Sequence, residues 1–212
     1  MNFIIFDLEA TCGWIGENRQ SEIIEIGAVK LNEKLEIVSE FQSFVRPVIN
    51  PELTEFCTKL TSITQANVDQ ADTFPYVIAK FILWCSQGES QGNIKVFGEP
   101  FWLCSWGFYD KRQLKQDCEY WGMDTAWLKN HISIKHQHGA MLSKEMYPAY
   151  LRQGYTETKA KQMCKALNRG VGMKTALEDL GIPLEGTHHR GIDDARNIAK
   201  IFIQIFDQLT FK

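Results

Sequence analysis

Two carboxylates one residue apart, Asp7 and Glu9, follow the apolar run Phe3-Ile4-Ile5-Phe6 near the start of this 212-residue chain. The run has the aromatic and β-branched character of a core strand, and side chains on a strand alternate faces. Asp7 and Glu9 therefore project to one side, about 7 Å apart along the backbone. Two acids on one face of a core strand repel each other and are costly to desolvate. A hard divalent cation relieves both penalties, because it binds carboxylate oxygens. The alternative is a strand that ends near Asp7 and leaves both acids at a solvated tip.

Further acids stand at positions where the chain changes structure. Asp110 lies where a strand-like stretch, 101–106, gives way to a helix over 111–121. Such edges are where α/β folds place chemistry, although a helix-start acid also serves the helix dipole. Asp194 falls in the first turn of a final helix whose Ile192, Ala195, Ile198, Ala199, Phe202, Phe206 and Leu209 recur at spacings of three and four. His189 sits on the loop just before it. His188 and Asp193 are immediate neighbours that compete for the same roles.

Three strand patterns open the chain. The second covers 22–31, with a partly buried look, and the third covers 35–45 and ends before Pro47. Asn32-Glu33-Lys34 forms the turn between them, so the three make an antiparallel meander. Short helices are expected over 54–60 and 64–71, the second with Thr64 as N-cap. A longer helix opens at Thr73 and carries Val77, Ile78, Phe81, Ile82 and Cys85 at helical spacing. A short strand is expected at 94–98 and an edge strand at 131–134, with helices over 144–152, 156–167 and 173–180. The last of these is closed by Gly181 and Pro183. No repeat, low-complexity run or linker interrupts the pattern, which implies one domain over residues 1–212.

Hydrophobic residues at 44% and charged residues at 23% exclude a disordered chain. A formal charge of −3 disfavours a purely electrostatic nucleic-acid binder. Two bound divalent cations would reverse that sign, so composition does not exclude a metal-dependent nuclease. Six cysteines, at 12, 57, 85, 104, 118 and 164, include no Cys-x-x-Cys pair and read as reduced thiols. Neither a signal peptide nor a membrane span is expected, and a cytoplasmic location follows.

Other chemistry-bearing residues have two readings. His136 and His138 are expected as surface histidines in a polar loop rather than as a shared metal site. Lys159, Lys161, Lys165, Arg169 and Lys174 form either a solvated helix face or a contact face for backbone phosphates. Trp14, Trp102, Trp106 and Phe108 either belong to the core or stack on unpaired bases.

In sequence, Asp7-x-Glu9-x-Thr11, then Tyr109-Asp110-x-x-x-Leu114, then His189-x-x-x-x-Asp194 resembles the three motifs of the DEDDh exonucleases. That family belongs to the ribonuclease H-like superfamily, and the likeness covers nearly the whole chain. Asp7-Leu8-Glu9-Ala10-Thr11-Cys12, Glu25-Ile26-Gly27-Ala28-Val29, Ser105-Trp106-Gly107 and 191–199 are similar to the branch that trims 3′ ends of histone messenger and small interfering RNA. The resemblance implies an α/β fold, a ribonuclease H-like mixed β-sheet in which an antiparallel meander is followed by parallel strands, flanked by α-helices. It also implies two divalent cations, Mg²⁺ or Mn²⁺, held by Asp7, Glu9, Asp110 and Asp194. The four-residue gap before Asp194 selects His189 over His188 as general base. Glu9, Ala10 and His189 would contact the terminal nucleotide, and the products would be nucleoside 5′-monophosphates.

The chemistry suits those residue types. Hydrolysing a phosphodiester brings water to an anionic centre, and paired cations polarise the phosphate and stabilise the leaving oxygen. A histidine titrating near neutrality can take the proton from that water. The expectation is a 3′-to-5′ exonuclease acting on single-stranded RNA ends. A DNA-directed proofreading or repair exonuclease and a catalytically silent nucleic-acid-binding module are the alternatives. Relative to the family, the chain is expected to lack the nucleic-acid-binding domain that precedes catalysis in some members. Its 140–170 segment is expected to be longer than in a minimal catalytic domain.

Overall fold

The computed structural model describes residues 1–13, 20–87 and 98–211. Among the described residues five strands form one sheet in the order β3-β2-β1-β4-β5. They are β1 (Asn2–Ala10), β2 (Ile23–Leu31), β3 (Ile37–Phe44), β4 (Phe101–Ser105) and β5 (His131–Ser133). β1, β2 and β3 pair antiparallel, while β4 runs parallel to β1 and β5 parallel to β4. This is the expected mixed sheet. The expected strand at 94–98 falls almost wholly outside the described residues.

The helices are α1 (Glu55–Thr61), α2 (Gln65–Asp69), α3 (Phe74–Ser86), α4 (Tyr109–Tyr120), α5 (Ile134–Arg152), α6 (Glu157–Leu167), α7 (Met173–Asp179) and α8 (Gly191–Ile205). Thr54 caps α1 by accepting from the Cys57 amide. Thr64 and Asn67 form a reciprocal capping box at the start of α2.

Alternation along β1 sorts its side chains between two cores. Phe3 and Ile5 join Val29, Leu31 and the buried stripe of α8, including Ile198 and Phe202. Ile4, Phe6 and Leu8 pack on the opposite face with Phe74, Ile78 and Phe81 of α3 and Leu114 of α4. β2 was expected to be partly buried, yet all nine of its residues are buried. It lies inside the sheet between β1 and β3, with helices over both faces, so its polar positions are enclosed as well.

The 131–152 region differs from expectation. One 19-residue helix, α5, begins directly after β5 and takes in residues read as loop. Its first two turns carry Lys135, His136, Gln137, His138 and Gly139, a polar, glycine-bearing run that hides helical periodicity. Gly139 is there for contact: a Cβ on it would lie 2.4 Å from the Leu167 carbonyl oxygen and 2.7 Å from the Gly170 nitrogen. His136 and His138 are therefore helical, and His138 is buried at 2% exposure against Trp106.

A second close approach sets the position of α8. A Cβ on Gly27 of β2 would lie 2.1 Å from both Gly191 C and Ile192 N. Backbone cannot yield as a flexible side chain can. Gly27→Ala is therefore expected to cost at least about 3 kcal/mol, at or above the usual overpacking penalty. Gly172→Ala, where an added Cβ meets nothing within 4 Å, should stay within about 1 kcal/mol. Urea denaturation of the two variants checks the contrast.

Candidate active site

The alternation that aims Phe3 and Ile5 at α8 also aims Asp7 and Glu9 at the N-terminus of that helix. Asp194, in the first turn of α8, meets them there. One carboxylate oxygen from each of Asp7, Glu9 and Asp194 lies within 4.8 Å of the others. Asp110, in the first turn of α4, is buried and stands outside that tight group. It nevertheless ranks first among the neighbouring charges acting on Asp7. Ala10 ends β1 directly beside Glu9 and is buried.

All four acids titrate above the ordinary carboxylate range. Burial is the largest cause at Asp7, followed by Asp110, Glu9, Asp194 and Glu25. Burial, then Asp194, Glu25 and Asp110, push Glu9 up to about 8. Burial raises Asp110 to about 6 against the pull of backbone amides and the Ser105 hydroxyl. Asp194 is also raised, mainly by burial, although the His189 amide and both neighbouring imidazoles oppose the shift. Among the described residues no Lys or Arg forms an ion pair with any of the four.

The Oδ1 atom of Asp194 is buried without a hydrogen-bond partner. An orphaned buried carboxylate oxygen beside two further acids fits a divalent cation taking oxygen ligands. Asp7, Glu9 and Asp194 could hold it, with Asp110 adjacent.

His189 adopts a left-handed backbone with φ of 65°, which is uncommon for a residue with a Cβ. Two carboxylates hold it there. Its amide donates to Asp194 Oδ2 at 2.9 Å. The next two residues are held by Glu25, which accepts from Arg190 Nε and a second guanidinium nitrogen, both at 3.2 Å, and from the Gly191 amide at 3.0 Å. Gln42 adds a fourth bond to Glu25 at 2.7 Å. Burial lowers the pKa of the His189 imidazole, with His188 adding to the shift and Asp194 opposing it. The ring is therefore largely neutral at pH 7.

Asp193 is otherwise engaged. It accepts from the Thr187 amide at 2.9 Å and pairs with Arg196 at 3.0 Å, so it braces the loop and does not face the acids. Glu25 and Arg190 were missed as positioning groups in the sequence. The available signal was the hairpin register, which sets Glu25 directly across from Glu9.

The remaining candidates lie elsewhere. Trp102 and Trp106 pack against the core beneath α8, and Trp14 is outside the described residues. Phe108 is exposed beside His136, with ring centroids 4.6 Å apart. Contrary to expectation, His136 and His138 are not loop residues: His136 accepts or donates at Ser133 Oγ, 2.7 Å away, and His138 is enclosed. Neither joins a metal-capable group among the described residues. Lys159, Lys161, Lys165, Arg169 and Lys174 are all exposed, and Lys161 pairs with Glu157. A cavity of about 1240 Å³ runs along α5, and none of the four acids lines it.

A family model described as exonuclease, RNase T type, matches residues 4–202. The 3′-5′ exoribonuclease 1 of Rattus norvegicus is 33% identical over 208 residues, covering 95% of this chain and 52% of the relative. The protein of the same name from Homo sapiens is 35% identical over 205 residues, covering 95% and 51%. The chain thus spans about half the length of the curated relatives it matches. Among solved structures, the nuclease domain of 3′hExo, described as a DEDDh family member bound to rAMP, superposes with a TM-score of 0.75 at 30% identity. That match covers 100% of this chain and 96% of the other.

Two outcomes follow from the electrostatics. A carboxyl raised in the folded state, such as Glu9 from 4.5 to about 8, favours folding most below its unfolded pKa and loses that contribution as pH rises through the folded value. Metal-free protein should therefore melt at progressively lower temperature from about pH 5 to pH 8. Mn²⁺ should raise Tm more at pH 8 than at pH 5, and Glu9→Gln should flatten the upper part of the profile; scanning fluorimetry checks both. Separately, Arg190→Ala would leave Glu25 buried without its cation. The expected cost is about 2–3 kcal/mol in urea denaturation, below the figure for a fully buried pair because Arg190 is 23% exposed.

Proposed function

The chain belongs to the RNase T-type exonuclease family, in its DEDDh group, and from that membership we propose that it is a metal-dependent 3′-to-5′ exoribonuclease acting on single-stranded ends. The observation that carries this reading is the convergence of Asp7, Glu9 and Asp194, with Asp110 adjacent, from three elements and with no Lys or Arg ion pair among the described residues. A module that only bound nucleic acid would gain nothing from that arrangement, since uncompensated carboxylates repel phosphate. Preference for RNA is supported by relatives named as exoribonucleases.

Asp7, Glu9, Asp110 and Asp194 would hold two divalent cations, Mg²⁺ or Mn²⁺. When bound, these supply Lewis-acid polarisation of the scissile phosphate and charge stabilisation of its leaving oxygen. The chain's own contribution is positional and protolytic. His189, largely neutral and fixed by the Asp194 and Glu25 contacts, accepts the proton of the attacking water on a ring nitrogen. Glu9, the Ala10 backbone and His189 line the position of the terminal nucleotide. Cleavage at the phosphorus–O3′ bond leaves a nucleoside 5′-monophosphate and a strand one residue shorter.

Incubation of a 5′-labelled single-stranded RNA with Mg²⁺, Mn²⁺ or chelator tests this, beside a DNA of the same sequence. The expected result is a metal-dependent ladder shortening from the 3′ end, faster on RNA. His189→Ala should slow it about 10²- to 10⁴-fold, the usual contribution of a general base, and Asp7→Ala should abolish it. An inert wild type that still binds the strand would favour the binding-module reading, and a faster DNA ladder the DNA-directed one.

A further inference from the structure

Nothing in the exonuclease reading uses His188, yet the fold brings it alongside the site. The left-handed turn at His189 stops the chain from projecting consecutive side chains in opposite directions, as an extended strand would. The two imidazoles instead meet at right angles, with centroids 4.0 Å apart. One ring nitrogen from each, and one Asp194 oxygen, lie within 4.8 Å of one another. Asp194 is 6% exposed, with its Oδ1 unpartnered, while both histidines are half-buried and reachable from solvent.

We propose that His188, His189 and Asp194 form a second metal site, for a borderline transition ion such as Zn²⁺, and that its occupation holds the enzyme inactive. The chemistry of the donors separates this site from the carboxylate one. Asp7, Glu9 and Asp194 offer only oxygen, which suits Mg²⁺. Two imidazoles with one carboxylate form the kind of set that binds zinc with a water in the fourth position. A tetrahedral ion with ligands about 2.0–2.1 Å away needs donors about 3.3 Å apart. Rotation of two half-buried imidazoles supplies the closure from 4.8 Å.

Occupation would act in two ways. A His189 nitrogen bound to an ion has no lone pair with which to accept a proton, and Asp194 is drawn away from Asp7 and Glu9. Two ions of different hardness thus compete for one carboxylate. The inhibition rests on the exonuclease reading above; the binding does not.

Calorimetric titration of Zn²⁺ into full-length protein saturated with Mg²⁺ tests the binding. One site is expected, at least ten-fold weaker in His188→Ala and in His188→Gln, and retained in Glu9→Gln. Co²⁺ in place of Zn²⁺ should show visible d–d bands without thiolate charge transfer. In the RNA assay, Zn²⁺ should inhibit wild type, and His188→Ala should need at least ten-fold more while its rate in Mg²⁺ alone stays within two-fold. Equal Zn²⁺ affinity in wild type and both His188 variants would overturn the inference, as would a thiolate band, which would assign the ion to cysteines. If His188-dependent binding persists in a protein that degrades no RNA, the proposed function fails and the metal site stands.

Discussion

Like charge held out of water at the end of the central strand is the constraint around which this molecule is arranged. β1 spends its first half building two hydrophobic faces and its second half presenting Asp7 and Glu9 on the face shared with α8. Fixing carboxylates in such a place requires rigid supports, because a floppy loop would let them turn outward to solvent. Each acid accordingly sits on regular structure: a strand interior for Asp7 and Glu9, and a first helical turn for Asp110 and Asp194.

The fifth acid shows what satisfaction looks like in the same setting. Glu25 is completely buried, faces Glu9 across the hairpin, and accepts from a guanidinium, a backbone amide and a side-chain amide. Its neighbours have no Lys or Arg partner among the described residues. The contrast divides labour between adjacent carboxylates: Glu25 ties the His189–Gly191 turn to the sheet, while Asp194 keeps its Oδ1 without a hydrogen-bond partner. The close approach of Gly27 to Gly191 makes this tie short enough to work, since any side chain at Gly27 would lift the turn away from Glu25.

Features governed by local periodicity were legible in the sequence. The period of two placed Asp7 and Glu9 together, and the apolar stripe of the final helix placed Asp194 in its first turn. The meander, the edge strand β5 and the Thr64 cap also followed from local patterns. What was hidden depends on contacts distant in sequence. Gly139 reads as a helix breaker until Leu167 and Gly170 are seen against it, so the first turns of α5 passed for loop and His138 for a surface residue. Glu25 reads as an ordinary polar strand position until its hairpin partner and Arg190, 165 residues away, are known. The left-handed backbone at His189, which pairs it with His188, likewise has no residue-type signature.

Magnitudes explain why the fold alone cannot quiet the site. α4 and α8 both direct their N-termini toward the acids, and a helix N-terminus stabilises a nearby anion by about 0.3–1 kcal/mol, up to about 2 when partly buried. Two such ends supply a few kcal/mol at most. The effective cost of burying one ion is already several kcal/mol, and mutual repulsion among four acids adds to it. The protein has two ways to close that gap: protonation, which the raised pKa values of all four acids express, or a bound cation. Protonation would leave neutral carboxyls that bind a phosphate-polarising ion poorly. Under the proposed function a cation would keep the acids ionised at a pH where His189 is largely neutral, so the same electrostatic deficit that weakens the metal-free fold would favour binding of the ion.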